Sequence, residues 1–143
     1  MPEVCSRLYD GVPTTPRERV EHACTWIADN YPAKWLKLVN LCEQAQAKEW
    51  PRIRRGDLFV LAQQAGMPIT ECMEFRFDNN LWSVLSRYLI LFRPSLARVI
   101  FPRECDVDTV DLEALWRDIV NPNTWFMTPT WVEAAVAARE GVL

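Results

Sequence analysis

Prolines in this chain stand where helices begin, and that placement leaves little choice of fold. In "TTPRERVEHACTWIADN" Thr15 can cap, Pro16 takes the first helical position, and Glu18 follows three residues after the cap as a capping box requires. Pro is tolerated there because the first turn's N–H groups have no intrahelical partner anyway. Val20, Ala23, Cys24 and Ile27 then return on one face at helical spacing. "YPAKWLKLVNLCEQAQ" repeats the device with Pro32, followed by Trp35, Leu38, Val39 and Cys42, and the short join between the two segments predicts a helical hairpin.

Further along, "NNLWSVLSRYLILF" carries Leu81, Trp82, Leu85, Tyr88, Leu89 and Phe92, too broad an apolar surface for a solvent-facing helix, so a central buried helix is expected. Pro94 and Pro102 bracket a short helical "SLARVIF". "DVDTVDLEALWRDIV" reads as one acid-capped helix, "NPNTWFMTP" as a loop, and "TPTWVEAAVAARE" as a last helix opened by Thr128 and Pro129 and ended near Gly141. Four glycines, no Asn-Gly turn and no sustained alternation leave little room for a sheet. With 143 residues, half of them apolar, one core is enough. The expectation is an all-α single domain over 1–143, a compact bundle of about six or seven helices, with a flexible N-terminus over 1–13.

"RRGDLFVLAQQAGMPITECMEF", residues 54 to 75, has an internal grammar of its own. Leu61, Ala62, Ala65, Gly66, Met67, Cys72 and Phe75 run apolar, small, apolar, turn glycine, apolar, and two apolar positions on a second helix. Two closely crossing helices need the small residue, and the tight turn needs a glycine free to take positive φ. Over residues 58–77 the segment resembles the helix-turn-helix of bacterial and phage repressors. The resemblance implies a second helix lying in the DNA major groove, with Pro68, Ile69, Thr70, Glu71, Met73 and Glu74 as its exposed positions. None of these is Arg, Lys, Asn or Gln, and two carboxylates would face the phosphates. The segment is therefore read as a helix-turn-helix-like unit, with its binding surface elsewhere.

The nearest cations precede it in "KEWPRIRR": Lys48, Arg52, Arg54 and Arg55 beside Trp50. Cations next to an aromatic suit phosphate contact with stacking on an unpaired base, and Arg76 and Arg87 are further candidates. The competing reading is a solvated link with Trp50 tucked into the core and the arginines paired to Asp57 or Glu49. Net charge is −3 overall, but residues 1 to 100 carry 13 Lys/Arg against 11 Asp/Glu and residues 101 to 143 carry 3 against 8, so a polyanion-binding face is expected in the first part.

Chemistry finds few recruits. His22 is the single histidine, four residues after Glu18, with no nucleophile placed beside it. Cys5, Cys24, Cys42, Cys72 and Cys105 have no zinc-type spacing, and Cys24, Cys42 and Cys72 fall on helical apolar faces. Asp106, Asp108 and Asp111 lack the glycine and distal Glu of a calcium loop and read as helix caps. No phosphate-binding glycine loop is present. No enzyme activity, metal or cofactor is expected.

Seven Trp are more than a small core needs, and Trp125, Phe126, Met127 and Trp131 gather near the C-terminal helix, where they are candidate protein-binding anchors or simple packing. No window matches a signal peptide or a membrane span, which makes the expected location cytoplasmic. The sequence thus points to a non-enzymatic nucleic-acid-associated protein, a regulator or small subunit of a nucleoprotein assembly. The alternative is a protein-binding module, such as a phage or mobile-element inhibitor or adaptor, acting through the aromatic C-terminal or an acidic surface.

Overall fold

The computed structural model describes residues 15–67 and 81–141, and these build six α-helices and two 3-10 turns with no strand among them. In chain order the helices are α1 (Pro16–Asp29), α2 (Ala33–Ala47), α3 (Arg55–Gln64), α4 (Trp82–Phe92), α5 (Leu112–Ile119) and α6 (Trp131–Arg139); 3-10 turns occupy Pro94–Arg98 and Asp106–Thr109. The all-α expectation holds. No helix of the described residues is long and apolar enough to cross a membrane. The first 14 residues, and residues 68–80 with the second half of the helix-turn-helix pattern, Cys72 and Arg76, lie outside the described residues.

α4 is the axis of the core. Every residue from Val84 to Leu91 is buried, including Ser86 and Arg87, so the helix must be packed on all sides. α1 and α6 lean on it, and the turn at Pro94–Arg98 carries the chain from its end to meet α2 and α6. Tyr31, Trp35, Tyr88, Phe92, Trp116 and Phe126 form one aromatic cluster, with Trp116 edge-on to Tyr31 at 5.9 Å and tilted on Trp35 at 5.4 Å. Offset and edge-to-face pairs of this kind add stability beyond the area they bury.

Local signals act as read. The Glu18 N–H donates to Thr15 Oγ1 at 3.1 Å, capping α1. At the far end of α3, Gly66 takes φ +86°; its N–H donates to the Gln63 carbonyl and that of Met67 to Ala62, which closes the helix in a Schellman motif.

Three expectations need correction. α1 packs mainly on α5 and the Asp106–Thr109 turn, and α2 on α3, so the first two helices are not a self-contained hairpin. The stretch from Asp106 is not one helix: Asp108 is drawn to Arg87, Val110 is extended, and α5 begins only after Asp111, whose carboxylate accepts from the Ala114 N–H. The last helix starts at Trp131, capped by Thr130 through the Glu133 N–H, two residues later than the Thr128–Pro129 start.

Candidate nucleic-acid interface

The link before α3 shows how a cationic site arises from one apolar residue. Ile53 is 1% exposed and its N–H donates to the Val99 carbonyl at 2.6 Å, pinning an extended segment to the loop after the Pro94–Arg98 turn. Neighbours of a buried residue in an extended chain point the other way, so Arg52 and Arg54 face outward. Arg54 is the N-cap of α3, where Asp57 accepts its backbone N–H at 3.0 Å, and Arg55 opens the helix. The Asp57 carboxylate thus caps the helix, and it lines the groove between α2 and α3 rather than the one beside Phe101.

The pinned loop continues through Phe101, Pro102 and Arg103 and lies opposite the first turns of α4. Between them is an open groove of about 550 Å³ lined by Arg52, Arg54, Arg55, Arg87 and Arg103 with Trp82 and Phe101, and none of the described residues of that lining is a carboxylate. The guanidinium of Arg52 sits 5.6 Å from the centre of the Phe101 ring and that of Arg139 5.1 Å from it. Cation–π contact with Phe101 therefore steadies Arg52 without itself neutralising the charge.

Arg87 closes the floor and behaves differently. Its side chain is 1% exposed; Nε donates to Asp108 Oδ1 at 2.7 Å and Nη2 to Oδ2 at 3.0 Å, a two-point pair. Nη1 donates to the Ser83 carbonyl and Nη2 to the Arg103 carbonyl, while the Trp131 ring lies 5.1 Å from the guanidinium and its indole N–H donates to Asp108 Oδ1. Burial pushes the Asp108 carboxyl up, but its bonds from Arg87, from the Cys105 N–H and from Trp131 outweigh that and hold it below the usual carboxylate range. Arg87 is consequently a braced internal cation that holds the Arg103 backbone. It does not serve as the phosphate contact expected of it.

The structure thus divides the predicted cluster. Arg52, Arg54 and Arg55 are brought together; Lys48 and Trp50 lie instead on a second groove of about 320 Å³ between α2 and α3, with Leu41, Asp57, Val60 and Leu61. Trp50 is 38% exposed, neither buried in the core nor beside the arginine groove. Arg103 is the member that sequence reasoning missed, because the surrounding C-terminal part is acidic. Trp82, expected on the apolar surface of the central helix, also borders the groove, and Phe101 joins it there.

The aromatic C-terminal candidates separate too. Trp131 is buried on the Arg87–Asp108 pair, and Phe126 packs on Tyr88 and Trp116, so neither is a surface anchor. Trp125 and Met127 are 74% and 71% exposed, beside a shallow groove with Tyr31 and Arg93, and the Arg117 guanidinium lies 4.4 Å from the Trp125 ring. Among the described residues no cluster of His, Cys, Asp and Glu is placed to hold a metal ion. Asp106 is paired with Arg19, Asp108 with Arg87, and Asp111 caps α5. Burial pushes the Cys24 and Cys42 thiols up to about 12, the bland behaviour of small core hydrophobes. Compared with protein-family models, with curated proteins and with solved structures, the chain finds no match.

Proposed function

We propose that this chain is a non-enzymatic nucleic-acid-associated protein, a regulator or small subunit of a nucleoprotein assembly, that binds the phosphate backbone in the arginine groove. The observation that carries the reading is the convergence of four exposed arginines, Arg52, Arg54, Arg55 and Arg103, from two distant parts of the chain on one groove with two aromatic rings, Trp82 and Phe101, in its lining. A net-negative molecule that keeps such a surface has concentrated its positive potential where a polyanion would be drawn. The helix-turn-helix-like segment then serves as scaffold, since α3 presents Arg54 and Arg55 at its start.

Binding to nucleic acid across a salt series tests this. Each phosphate neutralised contributes roughly 0.7 to 0.9 to the slope of log affinity against log salt, so changing Arg52, Arg54 and Arg55 together to Ala should lower the slope by about 2 to 3. Lys48→Ala, in the other groove, should leave it unchanged. Absence of binding at low salt would reject the reading. A second reading, a protein-binding module, is favoured by the exposure of Trp125 and Met127; it requires a co-purifying partner that is lost on Trp125→Ala.

A further inference from the structure

We infer that the arginine groove takes single-stranded rather than duplex nucleic acid, with Trp82 as the platform on which an unpaired base stacks. This rests on the phosphate-binding reading above and names the class of ligand for the same site. Shape decides it first. Proteins read duplex with a protruding element, a helix or ribbon that enters a groove about 12 Å wide. Here the arginines line a concavity of about 550 Å³. That is within the roughly 300–1,000 Å³ of clefts that hold small molecules, room for a base and its flanking phosphates but not for a double helix.

Lining chemistry decides it second. A flexible strand needs cations along its backbone and flat apolar faces for its bases, and the groove holds both. Trp82, the first residue of α4, is half-buried: its packing against the core fixes the ring while part of it stays at the groove. Phe101 is 41% exposed, with Arg52 and Arg139 against it, so it serves mainly to order cations. A guanidinium ordered in this way is itself a surface on which a base can stack. Five residues beyond Trp82 along α4, the Arg87–Asp108 pair ties the Arg103 backbone to the helix, so the two walls of the groove are held at a fixed separation. A preformed cleft loses less order on binding than one that must assemble.

The experiment is fluorescence anisotropy on the unaltered full chain at low salt, with a labelled single strand of about 12 thymidines, a blunt duplex of equal length, and thymidine monophosphate as competitor. The single strand should bind at least about tenfold tighter than the duplex, since base stacking adds to phosphate contact only when bases are unpaired. Trp82→Leu should cost the strand about fivefold or more with little effect on duplex, and Trp82→Phe, which keeps a ring, should recover most of it; thermal melts of both variants establish that they fold. Duplex binding as tight as the strand, lost equally in the triple arginine variant, overturns the single-strand inference and leaves the phosphate reading standing. No binding to either removes both. Competition by the mononucleotide at the strand's own affinity overturns the inference in favour of a free-nucleotide pocket, and a Trp82→Leu variant that binds strand normally removes Trp82 from it.

Discussion

Gly66 shows how far one residue's conformational freedom matters here. Its φ of +86° is what lets the Met67 N–H reach back to Ala62, and a Cβ added there would meet only the flexible Lys34 side chain at 3.8 Å. Space is therefore not the constraint; left-handed backbone is. Gly66→Ala should destabilise by about 1 kcal/mol, the usual penalty for an L-residue in that region, read as a lower denaturant midpoint at unchanged slope. Thiol reactivity offers a second test at this scale. Cys24, whose Sγ donates to the Tyr88 hydroxyl, and Cys42 are buried with thiols pushed up to about 12, whereas Cys105 is exposed at the groove. Alkylation followed by peptide mapping should mark Cys105 in the native protein and reach Cys24 and Cys42 only on unfolding. Marking of Cys24 or Cys42 at the rate of Cys105 would contradict the packing described.

Between elements, the extended link at Ile53 has more influence on the site than its length suggests. It is the only buried residue between Ala45 and Leu58, and it sets both the outward direction of Arg52 and Arg54 and the proximity of Arg52 to Phe101. Ile53→Ala should cost about 2 to 4 kcal/mol by leaving a cavity. A milder Ile53→Val, costing about 1 kcal/mol, should keep the groove's binding intact. These outcomes would be read from denaturant unfolding and from anisotropy.

Helices were legible in the sequence because capping, proline placement and 3.6-residue spacing are local, and Thr15, Pro16, Glu18 and Gly66 act within four residues of themselves. The site was half legible. Arg52, Arg54 and Arg55 are adjacent in sequence, so their cluster was visible, but Arg103 joins them across about 50 residues and no periodicity announces it. Arg87 was misread for the same reason. A cation within the apolar run "SVLSRYLILF" hints at a buried, paired charge, yet its partner Asp108 stands 21 residues away among carboxylates that look like caps.

At the scale of the molecule, the Arg87–Asp108 pair is where α4, the Asp106–Thr109 turn and α6 meet, through Ser83, Cys105 and Trp131. Its stability contribution has a definite direction with pH. Asp108 is held below the usual carboxylate range in the folded state, so it binds its proton less readily than the unfolded chain does. The stabilisation is therefore fully present above the unfolded value, about pH 4, and is lost as pH falls through the lower folded value. Removing the carboxylate leaves the Arg87 charge, 1% exposed, without its counter-ion at every pH, although its bonds to the Ser83 and Arg103 carbonyls remain. Asp108→Asn should cost about 3 kcal/mol near neutral pH, the scale for breaking a buried ion pair, and should flatten the fall in stability below pH 4. Paired substitution separates charge from shape: Arg87→Met with Asp108→Asn should be less damaging than Asp108→Asn alone, since no buried charge is then unpaired. A double variant as unstable as the sum of the singles would show that Arg87 and Asp108 act independently. That result would remove the brace from the account of how the groove's two walls are held.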